Sequence, residues 1–80
     1  MTMEMTFGER LRLLRENADL NQTQLGKALN LTQRKESYME TDRYEPSLED
    51  MRAICRYFRV SADYLLGLSK PLPYPGRKIK

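Results

Sequence analysis

Apolar side chains at Phe7, Leu11, Leu14 and Ala18 recur at the i, i+4, i+7, i+11 spacing of one helical stripe. Arg10, Arg12, Arg15 and Glu16 fall mostly on the other faces. The spacing predicts a first helix over 6–18, capped by Thr6 with Glu9 as capping-box partner and ended by Asp19 in a left-handed turn. A second helix is expected over about 22–29, with Asn21 as its cap and Leu25, Ala28 and Leu29 as its apolar face. Gly26 sits inside it, at a cost of about 1 kcal/mol against alanine, which makes sense where another helix crosses closely. Asn30 tolerates a sharp turn, Leu31 can plug the core, and Thr32 caps a third helix over about 33–41.

Pro46 disfavours helix at Glu45, so 42–46 reads as a loop. Ser47 with Asp50 approximates a capping box for a helix over about 48–58, whose stripe is Leu48, Met51, Ile54, Cys55 and Phe58. Val60 packs across the next turn. Ser61 caps a short last helix over about 62–66, with Tyr64, Leu65 and Leu66 apolar and Gly67 as its stop. Beyond Leu68 come Pro71, Pro73, Pro75 and Gly76 with a basic end, a composition that predicts an extended and then disordered tail. The expected organisation is an all-α, five-helix domain over 6–68, between a flexible start (1–5) and a Pro-rich basic tail (69–80).

Eighty residues suffice for one small core. A single cysteine, Cys55, excludes an internal disulfide framework and falls on a core stripe, where an inert thiol is expected. The chain has no histidine, so His-based metal sites and His general bases are excluded; no catalytic constellation is apparent, and neither an enzyme nor a cofactor is expected. The start lacks the features of a signal peptide, and no apolar run approaches the roughly 20 residues that span a bilayer. A cytoplasmic, nucleoid-associated protein is the expectation. The formal net charge is +3, but Lys70, Arg77, Lys78 and Lys80 put +4 in the tail, leaving −1 on residues 1–68. Any nucleic-acid footprint must therefore come from local arrangement.

Residues 22–41, QTQLGKALNLTQRKESYMET, read as two short helices around a tight turn, the second with a polar and basic ridge. Gln22, Leu25, Gly26, Asn30, Leu31 and Thr32 at these spacings resemble the phage repressor/Cro-type, or Xre-type, helix-turn-helix family. Glu40, the run Pro46-Ser47-Leu48-Glu49 and the closing Val60-Ser61-Ala62-Asp63-Tyr64-Leu65-Leu66-Gly67 agree in register. The resemblance implies a lambda-repressor-like DNA-binding domain whose third helix enters the major groove of double-stranded DNA while the second crosses the backbone.

Within that frame Gln33, Arg34, Ser37 and Tyr38 lie on the outward side and are the candidate base contacts. Gln pairs bidentately with adenine and Arg with guanine. A solvated helix face is the bland alternative for Gln33, Arg34 and Lys35. Gln22, Thr32, Lys35, Arg43 and Tyr44 are candidate phosphate contacts, the last two equally readable as loop residues. The resemblance pairs Arg15 with Glu40 in a partly buried, architectural ion pair. It also implies a sequence-specific regulator, read as a repressor, acting as a homodimer on a two-fold operator. Tyr64, Leu65, Leu66 and Leu68 are candidate dimer contacts, with core filling the alternative for Leu65. No small-molecule ligand is evident. A protein-interaction module on the same fold, an antitoxin or adaptor, is the competing reading.

Glu36 departs from the pattern. It shares the inward stripe with Met39 and Glu40, where the family usually has Val or Ile. An unpaired carboxylate there must bend outward, find a partner or take a proton.

Overall fold

The computed structural model describes residues 5–68. Five helices follow one another as α1 (Phe7–Asn17), α2 (Gln22–Ala28), α3 (Gln33–Glu40), α4 (Leu48–Phe58) and α5 (Ala62–Leu66), with no strand among the described residues. The flexible start and the tail expected from the sequence fall outside the described residues, apart from Met5.

Local chemistry sets the helix ends. Thr6 Oγ1 accepts from the Glu9 amide at 3.1 Å while the Thr6 amide donates to Glu9 Oε1 at 2.9 Å. Ser47 and Asp50 repeat this exchange, and so do Asn21 and Gln24, so that the expected Asn21 cap is a full capping box. Left-handed backbone ends or separates helices at Asp19 and Asn30, as expected, and also at Asp42 and Arg59. Short polar side chains tolerate that conformation; Arg59 is the less usual occupant.

Every helix contributes at least one residue to the core: Leu11, Leu25, Met39, Ile54 and Leu65 are fully buried, with Leu29 joining from the end of α2. Three apolar assignments need correction. Ala18 is exposed because it stands at the end of α1, where the helical stripe has run past the core, and Ala28 because the core-facing line of α2 runs from Leu25 to Leu29 and leaves it to one side. Leu48, the first residue of α4, is 75% exposed for the same reason. Cys55 is half-buried at the core margin rather than enclosed. Arg10 departs from the solvent face assigned to it: its guanidinium lies 5.3 Å from the centre of the Tyr64 ring, tying α1 to α5.

Two glycines let backbones meet. A Cβ on Gly8 would collide with the carbonyl oxygen of Glu40 and come within 2.7 Å of that of Met39, so α1 rests directly on the end of α3. At Gly26 the obstacle is the turn rather than a crossing helix: a Cβ would lie 2.9 Å from the Leu31 carbonyl oxygen. The Leu31 amide donates to the Gly26 carbonyl at 2.7 Å, closing the α2–α3 turn tightly.

Asp42 adds a clasp that the sequence did not disclose. Its carboxylate accepts from the Gly8 amide at 2.9 Å and from the Thr6 hydroxyl at 2.6 Å. The residue just past the end of α3 thus supplies an acceptor to the otherwise free Gly8 amide at the start of α1.

Candidate nucleic-acid interface

Thr32 caps α3 by accepting from the Lys35 amide at 3.1 Å, and the tight turn before it fixes α3 against α2. This leaves one side of α3 outward. Gln33 and Arg34 are exposed, Tyr38 is 38% exposed and Ser37 is half-buried. The four candidate base-reading residues therefore share a surface, with Ser37 the most recessed.

Gln33 is not free on that surface. Its Nε2 donates to Gln22 Oε1 at 2.8 Å, and Gln22 Nε2 in turn donates to Glu40 Oε1 at 3.3 Å. The Gln22 amide thereby bridges Gln33 and Glu40 and keeps one N–H beyond those two bonds. The spacing in the sequence placed Gln22 at a helix start but could not show what its side chain would meet.

Glu40 anchors the chain of bonds. Arg15 Nε donates to its Oε2 at 2.6 Å and Arg15 Nη2 to its Oε1 at 3.2 Å, a forked pair on a carboxylate only 6% exposed. Arg15 also donates to the Leu20 carbonyl at 2.7 Å. The ion pair implied by the resemblance is formed. The Arg15 guanidinium is held above its ordinary pKa chiefly by its hydrogen bond to Glu40. Burial works against Glu40 ionising, yet the hydrogen bonds from Glu36, Arg15 and Gln22 and the Arg15 charge hold its pKa below the usual value.

Glu36 faces inward, as its position in the stripe predicts, and is fully buried. Neither carboxyl oxygen finds a protein donor. Burial first, then the neighbouring Glu40, push its pKa up to about 9, with Arg15 opposing. Glu36 accordingly keeps its proton at neutral pH and, enclosed on the inner side of α3, puts no negative charge into the exposed face of that helix.

The remaining cationic candidates fall into two groups flanking α3. Lys35 Nζ lies 4.8 Å from the centre of the Tyr44 ring and 4.0 Å from Asp50 Oδ2, and the hydrogen bond to Tyr44 raises its pKa. Arg43 lies 5.6 Å from the centre of the Tyr38 ring, and its amide donates to the Tyr38 carbonyl at 2.8 Å. Both pairs place a cation beside a tyrosine at the edge of the outward face, an arrangement suited to phosphate oxygens. Thr32 is exposed at the head of α3, though its hydroxyl already serves as the cap.

In α5, Leu65 is fully buried and is not a dimer contact; it is the core member of that helix. Tyr64 is half-buried beneath Arg10, whereas Leu66 and Leu68 are 56% and 43% exposed. Leu66 borders a cleft of about 300 Å³ with Phe7, Tyr44 and Pro46. No metal-holding cluster occurs among the described residues, nor is any of their helices long and apolar enough to cross a membrane.

A model of the helix-turn-helix domain matches residues 6–66. The immunity repressor protein of Bacillus phage phi105 is 32% identical over 63 residues, which are 79% of this chain and 44% of that relative. The chain thus spans less than half the length of that repressor. The crystal structure of the P22 c2 repressor protein in complex with synthetic operator 9T superposes with a TM-score of 0.74 at 32% identity, covering 78% of this chain and 94% of that one. The solution structure of the DNA-binding domain of the same repressor gives a TM-score of 0.72 at 30% identity, covering 80% and 84%.

Proposed function

Because the chain belongs to the helix-turn-helix domain family, we propose that it is a sequence-specific double-stranded-DNA-binding transcriptional repressor that reads the major groove with α3. The observation that carries this reading is the outward row of Gln33, Arg34 and Tyr38 on a helix whose opposite face is locked by Met39, Glu40 and Arg15. A rigid support under polar tips is what base readout requires. Gln33 retains its carbonyl oxygen and one N–H for adenine, and Arg34 is unencumbered for guanine. Lys35 with Tyr44 and Arg43 with Tyr38 supply phosphate contacts at the two edges, and Thr32 a third at the helix start. The likeness to repressors, one of them in complex with a synthetic operator, supports the same reading.

A domain this small makes few phosphate contacts, so two copies on half-sites about 34–36 Å apart are the expected binding unit. Leu66 and Leu68, with Tyr64 at their margin, offer the apolar surface for that pairing. Glu36, buried on the inner side of α3, offers no exposed acidic surface to the competing protein-interaction reading.

Selection from a random duplex pool tests the proposal. A two-fold symmetric consensus whose binding weakens steeply with salt is the expected result. Failure to retain any duplex at low salt would remove it.

A further inference from the structure

One apolar surface of the domain is left uncovered. Phe7, Tyr44, Pro46 and Leu66 wall the cleft of about 300 Å³, and Asp42 and Glu45 complete its lining. The walls are held in place: Phe7 and Tyr44 pack against the core, Lys35 lies over the Tyr44 ring, and the Pro46 ring is rigid. Among the described residues no lysine or arginine lines the cleft. The Asp42 carboxylate is already taken by Thr6 and Gly8. Glu45 is exposed and forms no ion pair among the described residues, so it is the acid open to a cation.

The chain leaves the domain beside this cleft. Leu66 lines it, Gly67 turns in the left-handed region, and the Leu68 amide donates to the Asp63 carbonyl at 2.8 Å. The sequence then runs Lys70-Pro71-Leu72-Pro73-Tyr74-Pro75-Gly76-Arg77. Residues 71–75 carry no charge, and a cation stands on either side of them. Alternate prolines favour the polyproline II helix, whose three-residue turn sets Pro71 with Tyr74 on one side and Leu72 with Pro75 on another. Such a segment has little freedom to lose and suits a groove walled by aromatic rings. An acid at the groove attracts the cations that flank it. A tail that served only as a solvated basic extension would need neither Leu72 nor Tyr74.

We propose that the cleft is the seat of the chain's own tail: residues 71–75 lie across Phe7, Tyr44, Pro46 and Leu66, with Glu45 facing their flanking cations. Four residues separate Leu66 from Pro71, a reach of about 16 Å at most. So short a tether holds the segment at a millimolar effective concentration. The tail of a second copy meets that concentration only in a very concentrated solution, which makes the same chain the occupant. Tyr64 and Leu68 do not line the cleft, so the seat and the surface offered for pairing share only Leu66. The docking goes beyond the DNA-binding reading and does not depend on it.

Nuclear Overhauser spectra of the full chain test the seat. Cross-peaks from Leu72 and Tyr74 to Phe7, Tyr44 or Leu66 are expected within one molecule. They should vanish in the Leu72→Ser, Tyr74→Ser double variant, which keeps every charge of the tail, and weaken more in Glu45→Lys than in Glu45→Gln. A seat filled about nine-tenths of the time favours the folded state about tenfold. The thermal midpoint of the double variant should then fall by roughly 5–10 °C. An unchanged midpoint without the cross-peaks means a solvated tail and overturns the proposal. Cross-peaks found only between labelled and unlabelled copies give the seat to a second copy and overturn it as well. A synthetic peptide of residues 69–80 supplies the last comparison. It should bind the double variant about tenfold more tightly than the wild type, whose own tail competes. Equal binding to both, or binding to neither, removes the tail as the occupant.

Discussion

Gly8 and Glu40 are in backbone contact: the second residue of α1 sits against the last carbonyl of α3, with no room for a side chain between them. The obstacle is main chain on both sides, so it cannot be relieved by a rotamer change. Gly8→Ala should therefore destabilise the domain by about 1–3 kcal/mol, despite alanine's better helix propensity. Urea denaturation measures this directly; a more stable variant would show that α1 can lift from α3 at little cost.

Glu36→Val should raise the melting temperature, because it removes a buried carboxyl without a protein donor and leaves a side chain of suitable volume. For a domain of this size each kcal/mol gained moves the midpoint by roughly 4–8 °C. Differential scanning calorimetry would detect such a shift, and an unchanged or lower midpoint would mean that the carboxyl contributes stability after all.

The pH dependence of stability follows from the same group. Unfolded, Glu36 ionises near its ordinary 4.5; folded, it keeps its proton to about 9. Between those values the folded chain holds the extra proton, so stability falls as pH rises, by about 1.4 kcal/mol per unit at most. Glu40 acts in the opposite sense: its folded pKa is depressed, so its contribution is present above the ordinary carboxylate value and lost as pH falls through the folded one. Denaturation curves from pH 4 to 9 should show declining wild-type stability and a flatter profile for Glu36→Gln. A wild type that grows more stable towards pH 9 would contradict the assignment.

Arg15→Leu should cost about 3–5 kcal/mol, more than Glu36→Val could restore, since it leaves Glu40 buried without its cation. Adding Glu40→Gln to Arg15→Leu should recover part of the loss. A double-mutant cycle measures the coupling, and additive losses would mean that the pair does not act as a unit.

Arg34→Ala should leave stability within about 0.5 kcal/mol, because the side chain is exposed. It should relax preference at one base position by about 1–3 kcal/mol in duplex selection. A uniform loss across sequences would reassign Arg34 to the phosphate backbone.

The helices were legible because their caps and stripes are local: Thr6 with Glu9, Ser47 with Asp50, and the Leu25-Met39-Ile54-Leu65 interior all follow from spacing. The inward aim of Glu36 was legible for the same reason. What local spacing could not show was which side chains meet across elements. Gln22, a candidate phosphate contact by its place at a helix start, also bridges Gln33 and Glu40. Arg10 looked like a solvent-facing charge and lies over Tyr64. Leu48 continued a periodic stripe that the core does not reach. Gly8 was one more small residue until Glu40 came against it.

The Asp42 clasp on Thr6 and Gly8 has a consequence for the order in which the chain can become structured. The cap of α1 is finished by a residue 34 positions after Gly8, so the first helix acquires its full complement of amide partners only once α2 and α3 have closed the loop. A growing chain that has not yet reached Asp42 holds α1 by its Thr6–Glu9 box alone. The start of the domain and the end of its exposed helix should then gain hydrogen-exchange protection together, as one cooperative unit rather than as successive helices.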